Sequence, residues 1–574
     1  MTAQGWLLIA LFAVVLGLTV RPLGGYMTMV FNSMRTPVRP FGPLERSIYR
    51  LAGVDPAAEQ TWLQYALALI AFHLAGIVLL YALQRLQGAL PLNPGDFSAV
   101  SSDLALNTAV SFATNTSWQA YGGETTLSYF VQMTGITVQS FLSAATGMAV
   151  AIALVRGLAR CGSGTIGNFW TDLTRATLYV LLPISIAVGL FLVWQGVPQT
   201  LEAPVQAATL DGAGQLIARG PVASQEVIKL MSGDGGGFFN ANSAHPFENP
   251  TATANLVEML LIFLIGAALT NTFGRMVGNE RQGWVLFGVM AALFAAGVAV
   301  VYFAEAPGNP NFSPLPIDQA ASSLQSGGNM EGKEVRFGIA GSALFANVTT
   351  DSSDGAVNAM LDSYAPLSGL VLMANMMVDE VIVGGPGSGL FGILLFAIVA
   401  VFMAGLMVGR TPEYLGKKIN VIEVKMTMLA LLAVPTAILA LTAVAAVVPP
   451  GLAGLGNNGP HGFSELLYAY TSAAATNGSA FAGLSANTPF FNLSLALAMF
   501  VGRFLVIIPV LAVAGSLAGK RMVPASAGTL PTDSLQFAGL LIGTVLIVGG
   551  LTFFPALALG PLAEQYAFAE GQLY

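Results

Sequence analysis

The sequence predicts an all-α polytopic membrane protein, and three observations carry that prediction. Of 574 residues, 55% are hydrophobic and only 9% are charged, where soluble domains carry roughly 25% charged residues. Mean hydropathy is +0.71. Ten segments reach or nearly reach the roughly 20 apolar residues that a helix needs to cross a bilayer. No long polar stretch is left over to fold as a catalytic domain. The single Cys161 excludes an internal disulfide, and His73, His245 and His461 are too scattered for an HxxxH pair. The net charge of −7 opposes nucleic-acid binding, which needs a basic face.

The ten spans are expected at 6–29, 62–85, 127–155, 171–195, 253–273, 284–303, 388–408, 424–448, 490–515 and 535–557. The first has neither a basic n-region nor an A-x-A site, so Trp6 to Val20 reads as a retained span and not a signal peptide. An even number of spans puts both termini on one side. The loops after spans one, three, five, seven and nine hold sixteen of the 22 basic residues, from Arg21, Arg35 and Arg39 through Arg410 and Lys417 to Lys520 and Arg521. The other face holds Arg85, Arg219, Lys229, Lys333 and Arg336. The richer side faces the cytoplasm by the positive-inside rule, so both termini are expected outside.

Four outer loops are long, and each contains a semi-apolar stretch too short to span, at 99–118, 225–237, 338–356 and 463–480. Spans two to nine thereby divide into four copies of helix, re-entrant half-helix, turn and helix. One extra span flanks the set at each end. The expected units are 1–60 (first span and cytoplasmic loop), 61–160, 161–275, 276–415 and 416–520 (pore repeats one to four) and 521–574 (last span). Repeats one and four share Ala113-Thr114-Asn115 and Ala475-Thr476-Asn477, which predicts a common register. Non-helical backbone survives at membrane depth only when buried in protein or lining a wet cavity, so four such turns imply a central pathway.

The turns read Thr114-Asn115-Thr116, Gly233-Asp234-Gly235, Ser353-Asp354-Gly355 and Thr476-Asn477-Gly478. Small residues let successive carbonyls face one axis, as a filter replacing the hydration shell of a monovalent cation requires. Each half-helix aims its negative C-terminal end at the centre, which also favours a cation. The bland alternative is four ordinary surface turns. Arg503 is the one basic residue deep in a span, at a cost of roughly 2.5–3.5 kcal/mol on insertion scales. It reads either as a gating cation below the filter or as half of a structural pair, with Glu258 and Glu465 as candidate partners.

Other motifs do not hold. The strings at 162–167 and 387–392 satisfy GxGxxG, but neither follows a strand of a βαβ unit. Gly327 to Lys333 fits GxxxxGK, yet Glu334 stands where a Ser or Thr must hold magnesium. There is no DKTG string for an aspartyl-phosphate. The cytoplasmic loop Gly409 to Ile419 reads as a basic anchor from composition and as a docking surface by function.

Several long strings resemble one family. Ser111 to Gln119, Gly236 to Ser243, His245 to Pro250, Gly409 to Ile419 and Asn477 to Gly483 are similar to the potassium-binding subunit of the Kdp-type potassium-transporting ATPases, and the likeness covers nearly the whole chain. It implies a channel-like fold of four pore repeats plus one helix at each end, in a bacterial inner membrane. It implies K+ as the transported ion, with ATP and Mg2+ bound only by a partner P-type ATPase subunit. A single-span accessory subunit and a small membrane peptide are the further implied partners. The ligands implied are Thr114, Asn115, Thr116, Gln119, Gly233, Asp234, Gly235, Ser353, Asp354, Gly355, Thr476, Asn477 and Gly478. The segment from Pro366 to Gly389 and Arg503 would gate the path below. Asp234 and Asp354 depart from the family pattern, and their carboxylates are expected to point into the protein. A passive channel or ion-coupled transporter of the same superfamily is the alternative, and a closed membrane scaffold is a third.

Overall fold

The computed structural model describes all residues except 33–40, 379, 408, 410, 525–528 and 572–574. Arg35, Arg39 and Arg410 of the basic tally, and Asp379 of the expected gating segment, lie outside the described residues. Ten helices are long and apolar enough to cross a membrane. They are Ala3–Asn32, Trp62–Ala89, Tyr129–Ala159, Phe169–Gln195, Ala252–Met276, Glu280–Phe312, Ser388–Met407, Val421–Ala445, Pro489–Ala518 and Leu535–Ala569. Each falls on one of the apolar runs read from the sequence. Several extend past the apolar run because side-chain caps hold their first turns. Thr61, Asn168, Thr251, Asn279 and Thr488 each accept a backbone N–H there.

Four shorter helices sit between spans: Ser102–Ala113, Val222–Met231, Gly338–Thr350 and Gly459–Ala474. These are the four pore helices. In every repeat the span after the pore helix is the inner one. The most apolar windows of spans three, five, seven and nine are 83%, 67%, 67% and 67% buried by protein, against 22% and 28% for the first and last spans. The repeats therefore surround a centre, and spans one and ten lie outside it. The first span packs on the fifth, and the tenth on the sixth and seventh.

The third repeat is irregular. Its inner span begins late, at Ser388, because a separate helix, Pro366–Met377, and a glycine-rich segment come first. Pro366 opens that helix, and Glu305 of the sixth span fixes its start. The Glu305 carboxylate accepts from the Ala365 amide (2.8 Å), the Ser368 hydroxyl (2.6 Å) and Lys333 (2.9 Å). Beyond it, Gly384 and Gly387 have φ of +64° and +111°, values that favour glycine. A Cβ at Gly387 would strike the Gly147 carbonyl of the third span.

Thr2, just before the first helix, and Glu564, in the last described helix, both lie on the pore-helix side. The Thr2 amide donates to the Tyr302 hydroxyl (2.8 Å) at the end of the sixth span, and Glu564 accepts from Ser464 of the fourth pore helix (3.2 Å). The little strand structure is peripheral: a hairpin of Val205–Ala208 with Gly214–Ile217, and a two-residue pair in the opposite-side loop. The string at 162–167 is the turn between spans three and four, and that at 387–392 leads into span seven. Neither follows a strand, as expected.

Candidate functional site: four loops closed into a ring

The pore helices end in the same hydrogen-bond pattern, and that pattern sets the register of the turns. The amides of Thr116, Asp234 and Asn477 donate five residues back, to Ser111, Lys229 and Ser472. The amides of Thr114, Ser232, Asp351 and Ala475 close the last helical turn four residues back. Thr116, Asp234, Ser353 and Asn477 are therefore equivalent positions. Positive φ values agree: Asn115 and Ser117 (+64° and +55°) match Thr476 and Gly478 (+57° and +97°). The register expected from the shared Ala-Thr-Asn strings is thus off by one residue. Ser111 and Ser472, and not the two asparagines, are the matching landmarks.

Neighbouring loops meet around the full circle, and nearly all their residues are buried. Between loops one and two, Asn115 Nδ2 donates to the carbonyls of Gly233 (2.9 Å) and Ser232 (3.2 Å). There too the Ser117 hydroxyl donates to Asp234 Oδ1 (2.6 Å). Between two and three, Ser353 Oγ donates to the Gly233 carbonyl (3.3 Å), and a Cβ on Gly235 would overlap Gly355. Between three and four, Asn477 Nδ2 donates to the carbonyls of Thr349 and Ser352 (2.9 Å each) and Asp354 (3.1 Å). Between four and one, a Cβ on Gly478 would strike the Thr116 carbonyl. The ring leaves room only for glycine at that point, where φ is +97° as well.

The side chains at the ring brace it. Both Asp234 and Asp354 are fully buried. Asp234 is held by Ser117, and Asp354 Oδ1 accepts from the Ala356 amide of its own loop (2.8 Å). Gln119 sits beside the second loop, where its Oε1 accepts from the Gly237 amide (2.8 Å) and its Nε2 donates to the Tyr121 hydroxyl (3.2 Å). Thr114 and Thr116 share a hydroxyl hydrogen bond (2.9 Å).

Three charged groups at the site, Lys229, Glu248 and Glu380, were given no role of their own from the sequence, although all three lie in segments read there. Lys229 of the second pore helix is buried and paired with Glu226 (2.7 Å) and Glu248 (2.8 Å), and it donates to Asn242 Oδ1 (2.7 Å). Asn242 in turn donates to the Gly235 carbonyl (2.8 Å), and Glu248 accepts from the Phe239 amide (2.8 Å). The long string after the second turn thus works as its buttress. The available signal was two opposite charges in an otherwise apolar half-helix. Glu380 is the third group. It lines, with Thr476, Ser388 and Arg503, a cavity of about 20 Å³ between the fourth loop, the ninth span and the third-repeat segment, enough for roughly one water-sized occupant.

Arg503 is buried in that wall, and its guanidinium donates to the Ser143 carbonyl (3.0 Å). Neither carboxylate expected as its partner is there. Glu465 accepts from Gly456 and Asn457 on the outer side, and Glu258 lies in the fifth span near the Lys229 cluster. The segment below the ring belongs to the third repeat. Pro386 abuts Gly233, and the Gly384 amide donates to the Asp351 carbonyl (3.0 Å).

Comparison with known proteins agrees with this architecture. Residues 10–566 match the family profile of the potassium-transporting ATPase A subunit, KdpA. The potassium-transporting ATPase potassium-binding subunit of Methylobacterium nodulans is 63% identical over 100% of this chain and 99% of its own length. The protein of the same name from Mesorhizobium japonicum is 62% identical over the full length of both. Among solved structures, the potassium transporter TrkH from Vibrio parahaemolyticus aligns with a TM-score of 0.51 at 15% identity, covering 88% of this chain and 96% of that one. That last likeness is one of fold. With its four closed pore loops and a family match along nearly its whole length, the chain belongs to the potassium-transporting ATPase A subunit family.

Proposed function

We propose that the chain is the potassium-binding subunit of an ATP-driven importer, taking K+ from outside into the ring of loops and passing it to a separate P-type ATPase subunit. One observation carries the filter reading. Within the turns, from Thr114 to Trp118 and the equivalent positions of the other loops, Thr116, Asp234, Ser353 and Asn477 are the one set at which no described hydrogen bond occupies any of the four carbonyls. One level to either side, side chains already engage the carbonyls of Gly233 and Ser352, or of Gly235 and Asp354. A dehydrated cation needs oxygens not already committed elsewhere, and four from four repeats make one layer of such a cage. Of the remaining ligand candidates, Thr114, Asn115, Gly355, Thr476 and Gly478, whose carbonyls accept no described hydrogen bond, extend the cage above and below that layer, whereas the carbonyls of Gly233, Gly235 and Asp354 are already engaged within the ring.

The cavity beside the fourth loop extends the path. An ion leaving the cage meets Glu380 and Arg503 there, and the guanidinium opposes free passage of a cation by charge. The segment from Pro366 to Gly389 gates the same point. ATP and Mg2+ belong to the partner, since this chain carries no DKTG string. A single-span subunit and a small peptide complete the assembly, which sits in the bacterial inner membrane with both termini outside.

The test is uptake of Rb+, a potassium surrogate, into liposomes holding the complex that co-purifies with this chain. ATP-dependent uptake that potassium competes away and sodium does not is the expected result. Uptake of equal rate without ATP would replace the pump reading with a passive channel.

A further inference from the structure

On the outer side, away from the ring, three parts of the chain converge on His461. This residue lies in the first turn of the fourth pore helix, Gly459–Ala474. Its Nδ1 is 2.7 Å from Glu564 Oε1 near the C-terminus, and its Nε2 is 3.2 Å from Asp362 Oδ1 in the lead-in to the Pro366–Met377 helix. Glu465 follows one turn after His461 and is fully buried. One ligand atom from each of Asp362, His461 and Glu465 lies within 4.8 Å of the others. A cavity of about 240 Å³, lined in part by Asn309, Glu331, His461 and Glu564, opens the cluster to the outside.

The charges do not balance. Among the described ion pairs, no Lys or Arg reaches Asp362, Glu465 or Glu564, so one imidazole faces three carboxylates. Excess negative charge is costly where it is largely buried, as at Glu465, unless a cation offsets it, and the cavity gives a cation from outside access to it. The arrangement of His461 also matters, because metal-bound histidines commonly present one ring nitrogen to the metal and donate from the other to a carboxylate. Glu564 occupies that second position.

The geometry points to a binding site for a divalent transition metal of the zinc class, held by His461 Nε2 and the carboxylates of Asp362 and Glu465, with Glu564 orienting the ring. One imidazole with carboxylates suits zinc or manganese better than calcium or magnesium, which prefer oxygen alone. On binding, the Nε2–H bond breaks, the nitrogen lone pair forms the bond to the metal, and the proton leaves to water through the cavity. The metal then ties the third repeat to the fourth pore helix. This inference does not depend on the transport reading.

The intact complex, stripped with a chelator, is titrated with zinc chloride by calorimetry in buffers of different ionisation enthalpy. The wild type is expected to bind one zinc more than His461→Gln and to release about one proton for it. Glu465→Gln is expected to weaken that site at least tenfold. An equal zinc count in the wild type and His461→Gln overturns the proposal, as does displacement of the zinc by equimolar calcium. Should His461→Gln fail to assemble, X-ray absorption of wild-type complex loaded with one zinc decides instead. One imidazole among oxygen ligands is expected, and a shell of sulfur or of water alone overturns the site.

Discussion

Asp234 and Asn477 occupy the same place in their loops, yet they differ by a charge. Each reaches a neighbouring loop, Asp234 by accepting from Ser117 and Asn477 by donating to three carbonyls of loop three. Both side chains therefore act as braces, and in the proposed filter the ion is left to backbone oxygens. Asp234→Asn keeps an acceptor for Ser117, so the potassium concentration for half-maximal ATPase stimulation should shift by less than about threefold, since a single retained hydrogen bond changes by well under ~1 kcal/mol. A larger loss would place the carboxylate itself on the ion. Gly478→Ala should do the reverse and abolish high-affinity stimulation, because a methyl there meets the Thr116 carbonyl at a φ of +97°. Near-normal stimulation by that variant would mean that the ring is looser than described. At this scale the sequence was partly legible. Small residues at membrane depth marked the turns, whereas Asn115, Asn477 and Asp234 show their bracing only when loops distant in sequence are brought together.

The elements were the most legible part, because a span is a local property of about 20 residues and needs no knowledge of partners. The pore helices followed from being too short to cross. The register between the first and fourth did not follow, because identical Ala-Thr-Asn strings sit one residue apart relative to the helix ends. The loop from Gly409 to Ile419, expected at the cytoplasmic face, resolves more simply than composition allowed. Lys417 is fully buried and donates to the carbonyls of Gly157 and Leu517 (2.7 Å each) and of Arg160, at the ends of the third and ninth spans. A lysine on the free carbonyls of helix ends is a structural cap. Lys417→Met should therefore lower the temperature of thermal inactivation by roughly 2–5 °C, given ~1.5–3 kcal/mol for charge-assisted hydrogen bonds, with half-saturating potassium unchanged. If stability held and coupling to ATP hydrolysis fell instead, the loop would be a docking surface.

Over the whole molecule, the four inner spans and four pore helices build a centre, and within its turns the carbonyls of Thr116, Asp234, Ser353 and Asn477 accept no described hydrogen bond. Four short turns at membrane depth gave the expectation of a central pathway, and the family strings gave potassium as its expected ion. The broken third repeat, with Gly384 and Gly387 packed near loops two and three, was expected only as a segment from Pro366 to Gly389, on the family likeness. Its place there depends on long-range packing. In the proposed filter, selectivity rests on carbonyls held in place by bridges between loops. The most direct measurement of this claim is the potassium dependence of ATP hydrolysis by the intact complex carrying Asn477→Ala. Losing the bridge from loop four to loop three leaves buried carbonyls unpaired, at ~1–2 kcal/mol, so half-saturating potassium should rise about tenfold while the maximal rate stays near wild type. An unchanged potassium dependence would contradict the claim.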